Sequence, residues 1–198
     1  MRIVAGRFRG KNLVAPDGLT TRPTADRTRE SLFNILDSRL RRDGLTWAET
    51  TVFDAFAGTG ALGLEALSRG ASVLFAAEKD LAAQRCFRQN AAAFSDCSIT
   101  LMNDVLNLPQ AQAPVGLLLA DPPYKKGLIA AGLKELAAKG WIDERTLCVA
   151  EAEKGEKNIL PENCDILDNR IYGKAQILIF RQKSRKTVQA SGATPYPQ

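Results

Sequence analysis

The sequence predicts an α/β fold: a mostly parallel, seven-stranded sheet covered by helices and closed by a C-terminal β-hairpin, preceded by a small basic hairpin-and-helix extension. Three observations predict it. From residue 51 onward, short apolar runs of strand length alternate with amphipathic stretches of helix length. Two β segments flanking Gly173 end the regular pattern, so the last strands form a hairpin that sets one strand antiparallel in the sheet. The chain has 198 residues and a mass of 21.5 kDa, which suits one domain able to bury a core without disulfides or a structural metal.

Each element has its own signal. Residues 2–14 carry Gly6 and Gly10 between short apolar pieces and read as a hairpin or an extended arm. Pro16, Asp17 and Gly18 mark a turn. A helix over about residues 25–40 follows, with Leu32, Phe33, Leu36 and Leu40 as its apolar stripe. Strands are expected at 51–56, 72–78, 99–102, 115–120 and 146–150, and helices at 61–69, 81–94 and 128–139. The terminal hairpin covers 165–171 and 175–181. The organisation is therefore a basic extension over residues 1–44, an α/β domain over 45–183 and a polar, disordered tail over 184–198.

Composition excludes several chemistries. The chain has no histidine, so a Ser-His-Asp triad, a Cys-His pair, an HExxH zinc site and a histidine general base are all impossible. Cys86, Cys97, Cys148 and Cys164 are never spaced as C-x-x-C, which argues against a zinc ribbon and for reduced thiols, mostly in the core, of a cytoplasmic protein. The N-terminus has no apolar signal region, and no run approaches the length of a membrane span. Net charge is +5, yet residues 1–42 alone carry ten Lys or Arg against four Asp or Glu. Positive charge crowded into one end suggests a polyanion met by one face.

Two motifs carry chemistry. The first predicted strand of the α/β region runs through Phe53-Asp54 into a loop with Gly58, Gly60 and Gly63, a G-x-G-x-x-G spacing between a strand and a helix. Glu78 ends the next strand, where a carboxylate can accept from ribose hydroxyls. This pattern fits an adenosine cofactor and by itself leaves NAD and S-adenosylmethionine open. Asp54 favours the latter, because a carboxylate suits a cationic ammonium and sulfonium and repels a pyrophosphate. The fourth strand runs into Asp121-Pro122-Pro123-Tyr124, at the strand end where such sheets bind ligands. Asp121 and the Pro122 carbonyl can both accept from an NH₂ group, and Tyr124 offers a face on which a base can stack.

With the glycine loop, Glu78 and Asp121-Pro122-Pro123-Tyr124 in this order, the chain resembles class I S-adenosylmethionine-dependent methyltransferases that act on amino groups. Its N-terminal stretch narrows this. Arg2-Ile3-Val4-Ala5-Gly6, Phe8-Arg9-Gly10-Lys11, Arg22-Pro23-Thr24 and Arg29-Glu30-Ser31-Leu32-Phe33-Asn34 resemble the RsmD family of bacterial 16S ribosomal RNA guanine-N2 methyltransferases. The resemblance spans about residues 1–182 and implies a Rossmann-like fold. It implies that S-adenosylmethionine is held by Asp54, Gly58 and Gly60 at its methionine part, by Glu78 at the ribose and by Asp104 at the adenine. It implies that Asp121, Pro122 and Tyr124 are the catalytic residues, and that Arg2, Arg7, Arg9, Lys11 and Arg22 contact RNA. The implied partner is the 16S rRNA of the small ribosomal subunit, at guanine 966. Nothing in the sequence demands more than a monomer, and the proposed chemistry requires no metal. Three rivals use part of the same signal: a DNA adenine or cytosine amino-methyltransferase, an NAD(P)-dependent oxidoreductase and a non-catalytic ribosome-assembly factor.

Overall fold

The computed structural model describes residues 1–16, 23–124, 127–157 and 159–184. In chain order the elements are α1 (Pro23–Arg42), β1 (Thr51–Asp54), α2 (Ala61–Ser68), β2 (Val73–Ala77), α3 (Leu81–Ala91), β3 (Ser98–Met102), β4 (Leu117–Ala120), α4 (Leu128–Ala138), β5 (Leu147–Glu153), β6 (Cys164–Tyr172) and β7 (Ala175–Gln182). The seven strands form one sheet in the order β3-β2-β1-β4-β5-β7-β6. The pairs β1–β2, β2–β3, β1–β4 and β4–β5 are parallel. The strand β7 enters antiparallel to β5 and returns antiparallel to β6, as the terminal hairpin requires.

The central strands β1 and β4 are buried on both faces, which is why they read as continuous apolar runs, whereas the edge strand β3 is half-exposed. Side chains of the sheet alternate between two cores. Val52, Leu117, Leu119, Val149 and Ile179 face one side, against Leu64 and Leu67 of α2, Phe87 of α3 and Leu32, Phe33 and Leu36 of α1. Phe53, Leu118, Cys148, Ala150 and Phe180 face the other, against Ile129, Leu133 and Leu136 of α4 and Trp141. The Trp141 ring meets Phe53 and Phe75 edge-on at 4.9 and 4.8 Å between centroids, a favoured aromatic geometry.

Every predicted strand and helix from residue 25 to 181 is present, with ends displaced by a few residues; the turn at Asp17-Gly18 and the tail over 185–198 lie outside the described residues. Three expectations need correcting. The helix α1 begins before residue 25 and runs past residue 40, because Arg39, Arg41 and Arg42 suit its last turn. The N-terminal segment makes a single antiparallel bridge, Arg2 to Asn12, instead of a ladder. Of the four free cysteines only Cys148 is fully buried; Cys86, Cys97 and Cys164 are half-buried. No described helix is long and apolar enough to cross a membrane.

The N-terminal segment is lashed to the body by buried polar side chains. Glu65 of α2 is completely buried and accepts from the Val4 and Ala5 amides at 2.7 and 3.1 Å. Ser68 accepts from the Phe8 amide and donates to the Ala5 carbonyl. Gly6 lies so close to the end of α2 that a Cβ there would stand 1.9 Å from the Ser68 carbonyl oxygen. Arg29 of α1, also buried, donates to the Arg2 carbonyl and to Asp26. The segment thus shares the core of the sheet's α2–α3 face through Ile3 and Leu13.

Candidate active site

The sheet order reverses between β1 and β4, and in such sheets a crevice opens at the carboxyl ends of the two diverging strands. The register places Asp54 opposite Ala76 on one side and Leu119 on the other, so the ends of β1, β2 and β4 lie in one row. Ala120 and Ala150 are paired as well, which brings the end of β4 level with β5. Four carboxylates belong to this row: Asp54 as the last residue of β1, Glu78 after β2, Asp121 after β4 and Glu151 within the outgoing end of β5.

Local sequence explains the glycine loop. Gly58 has φ +54° and open space where a Cβ would stand, so a ligand can approach its backbone. Gly60 has φ +86° and caps α2; a Cβ there would sit 2.8 Å from the Phe87 ring. Gly63 is needed for close packing, since a Cβ would press on Leu74 and on the Asp54 carboxylate.

Asp54 and Glu78 are held by backbone amides. Asp54 Oδ2 accepts from the Gly63 amide at 2.9 Å. Its Oδ1 is buried and has no hydrogen-bond partner among the described residues. Burial raises the Asp54 carboxyl from about 3.8 to about 7, against the pull of the Gly63 amide and with a further push from the Glu78 charge. Glu78 takes the Gly58 amide on Oε2 at 2.8 Å and the Asp80 amide on Oε1 at 2.7 Å. Its carboxylate therefore joins the glycine loop to the start of α3, and still has lone pairs to offer. Asp104 follows β3, accepts from the Leu106 amide at 2.9 Å and lies 3.3 Å from the Lys79 ammonium.

The Asp121–Tyr124 loop has a different character. Pro122 is buried, whereas Asp121 and Tyr124 are open to solvent, Tyr124 at 39%. That exposure leaves a face of the ring available for stacking. The Tyr124 hydroxyl donates to Glu151 Oε1 at 2.8 Å. Desolvation and this bond raise the phenol well above its ordinary value, so it stays protonated and donating. Asp121 accepts no hydrogen bond from a described residue. Although part of Asp121 reaches solvent, the protein on its inner side desolvates its carboxyl, and with the charges of Glu151 and Asp54 pushes it well above the usual carboxylate range. Burial does the same to Glu151, although the Tyr124 hydroxyl opposes it.

Of the basic residues singled out in the sequence, Arg2 lies 3.7 Å from the Asp26 carboxylate. Arg7 forks onto Asp96 at 2.5 and 3.1 Å and lies over the Phe8 ring. Arg9 and Lys11 are exposed and form no ion pair with a described residue. Arg22 lies outside the described residues. Two residues of consequence escaped sequence reasoning. Glu151 sits one position past the predicted strand, and the rule that ligands gather at strand ends could have found it. Asn90 of α3 is buried; it accepts from the Val14 amide and donates to the Val14 and Thr59 carbonyls, tying the N-terminal segment to the glycine loop. No sequence signal marks it. An open groove of about 560 Å³ lies elsewhere, between α1 and β6, lined by Arg27, Arg39 and Arg170 among others; none of the four carboxylates lines it.

These residues suit S-adenosylmethionine. A buried carboxylate oxygen without a partner among the described residues, within the field of Glu78 and Asp121, is matched to a cationic ligand and mismatched to a pyrophosphate. A seven-stranded sheet of this order, with a glycine loop after β1 and an acceptor loop after β4, defines a class I methyltransferase. Known proteins narrow this further. The family model described as Conserved hypothetical protein 95 matches residues 1–181. The chain belongs to that family, the RsmD family. It is 30% identical to Ribosomal RNA small subunit methyltransferase D of Escherichia coli K12 over 93% of this chain and 91% of that protein. Against the protein of the same name from Haemophilus influenzae the identity is 31%, over 91% and 93% of the two chains. A solved Escherichia coli structure, yhhF, provisionally described as a methyltransferase, superposes with a TM-score of 0.76 at 31% identity, over 93% of this chain and 99% of that one.

Proposed function

We propose that the protein transfers a methyl group from S-adenosylmethionine to the exocyclic N2 of a specific guanine in 16S ribosomal RNA, guanine 966 by resemblance, in the small ribosomal subunit. The observation that carries the reading is the juxtaposition of two unlike half-sites on neighbouring strands: Asp54 and Glu78 beside the glycine loop, and Asp121 with the Pro122 carbonyl and Tyr124 beyond β4. The names of the relatives supply the ribosomal substrate.

S-adenosylmethionine, when bound, supplies an electrophilic methyl group. Asp54 faces its cationic end, Gly58 and Gly60 let it approach the backbone, Glu78 accepts from the ribose hydroxyls and Asp104 from the adenine amine. The target base is taken out of its stack and laid on Tyr124. Its N2 lone pair is delocalised into the ring and is a poor nucleophile. Two acceptors, the Asp121 carboxylate and the Pro122 carbonyl, draw the amine toward tetrahedral geometry and localise that lone pair. Asp121 can then receive the departing proton, and a carboxyl with a raised proton affinity suits that task. Alignment contributes most; well-oriented pairs gain about 7–11 kcal/mol in favourable cases. Arg9 and Lys11, left without an ion pair, are the principal phosphate contacts of the N-terminal segment.

The test is incubation with labelled S-adenosylmethionine and unmethylated small subunits, followed by RNA digestion and nucleoside identification. N2-methylguanosine at one site is the expected product. Label in DNA, or in protein amines, would refute the RNA assignment.

A further inference from the structure

Glu151 is left over from the site as described so far. It is half-buried, and among the described residues it has no cation beside it. A fold has no use for such a group; placing a carboxylate in protein without a counter-charge is unfavourable. Its position is set by register. Ala120 and Ala150 are partners in the parallel β4–β5 pair, so Asp121, the first residue past β4, stands beside Glu151, which continues in β5 opposite Ile177 of β7. Parallel neighbours stand about 4.8 Å apart. After burial, the Glu151 charge raises the proton affinity of Asp121, as a like charge in one site does. The Tyr124 hydroxyl holds Glu151 Oε1 at 2.8 Å, and Oε2 makes no hydrogen bond to a described residue. The rim therefore presents two acceptors in a row, next to the ring that takes the base.

We propose that Glu151 is the specificity-determining residue of the acceptor half-site: Asp121 takes the N2 amine of the target guanine, and Glu151 takes its N1–H. This deepens the proposed function and rests on it. Guanine is the base whose Watson–Crick edge offers two adjacent donors, N1–H and N2–H₂. Adenine and cytosine pair their amine with an adjacent ring nitrogen that is an acceptor. Either would set a lone pair against the Glu151 carboxylate. An amine-accepting loop alone cannot make this distinction, since all three bases carry an exocyclic amine. A second, preset acceptor can, because a buried polar group left unpaired or opposed rejects the wrong ligand. The Tyr124 hydroxyl fixes which way Glu151 faces and so couples the stacking ring to the selecting group.

The experiment compares small subunits reconstituted with 16S RNA carrying either guanosine or 2-aminopurine ribonucleoside at the target. The analogue keeps the C2 amine and replaces N1–H with an acceptor. Wild-type protein should prefer guanosine by about 10- to 100-fold in kcat/KM, the range one well-placed base-edge contact supports. In Glu151→Gln the amide can turn its NH₂ to the analogue's N1, so the preference should collapse toward unity, while the Kd for S-adenosylmethionine stays unchanged. Tyr124→Phe keeps the ring and removes the tether; it should shrink the preference by a smaller factor and serves if Glu151→Gln folds poorly. An unchanged preference in the variants overturns the assignment of Glu151 alone. No N2-methylguanosine from the wild type on guanosine-bearing subunits overturns the proposed function and this assignment with it.

Discussion

The two halves of the site are built from the same residue types and held in opposite ways. Asp54 and Glu78 are fastened to backbone amides of Gly63, Gly58 and Asp80. Asp121 has no such bond among the described residues, and Glu151 has only the Tyr124 hydroxyl. Amide ties are part of the fold, so the cofactor half is shaped before any ligand arrives. The acceptor half proposed above is two carboxylates short of donors, which the donors of a base edge would complete. One half is preorganised geometry; on the proposed function the other is unsatisfied valence that a substrate would fill.

Breaking the halves separately should give different failures. The largest effect is expected for Asp121→Ala. Methyl transfer should fall by about 10³-fold or more, since an amine acceptor and a proton acceptor are lost together. Titration calorimetry should meanwhile find the S-adenosylmethionine affinity nearly intact, and loss of both would show that the halves are not independent. Next is Glu78→Ala. Losing a charged acceptor that also ties the glycine loop should weaken cofactor binding by roughly 10- to 100-fold, in line with about 1.5–3 kcal/mol per charge-assisted hydrogen bond. Turnover at saturating cofactor should change far less.

A pH titration sharpens the comparison further. The cationic cofactor prefers the ionised form of Asp54, which in the free protein titrates at about 7. The dissociation constant should therefore fall as pH rises toward 7, approaching about tenfold per unit on the acid side, and level off above it. Asp54→Asn should flatten the profile. Stability runs the other way. The folded protein holds this proton to about 7, while the unfolded chain releases it near 3.8, so the folded state binds more protons between these values. The contribution of Asp54 to stability is thus greatest below about 3.8 and declines as pH rises to about 7. Thermal melts of Asp54→Asn should lack that decline.

The smallest effect concerns the N-terminal segment. Charge reversal at Arg9 or Lys11 should reduce the slope of log affinity for RNA against log salt by about 0.7–0.9 per lost phosphate contact. Reversal at Arg7 should do less, because Asp96 already offsets that charge. Equal effects at all three positions would show that the Asp96 pair opens on RNA.

Much of this was legible beforehand. Period-2 burial, apolar runs and turn glycines are local signals, and every predicted strand is present. The site motifs Asp54, Gly58, Gly60, Glu78 and Asp121 to Tyr124 are contiguous or follow strand ends, so sequence spacing alone brings them to one rim. The misses are of another kind. Glu65, Asn90 and Glu151 look like ordinary helix-face or strand polar residues in the chain. Their roles come from partners 31 to 76 residues away, or from a neighbouring strand.

The sequence by itself determined the fold class, the order of elements and the two motifs, because periodicity and backbone chemistry act within a few residues. Only the tertiary structure decided that Glu151 stands beside Asp121, that Asn90 links the N-terminal segment to the glycine loop, and that Arg7 is paired while Arg9 and Lys11 are not. Those outcomes depend on strand order, register and the docking of a distant segment. Each is a through-space relation between groups that the chain separates, and Coulombic and hydrogen-bond energies follow distance in space rather than distance along the chain.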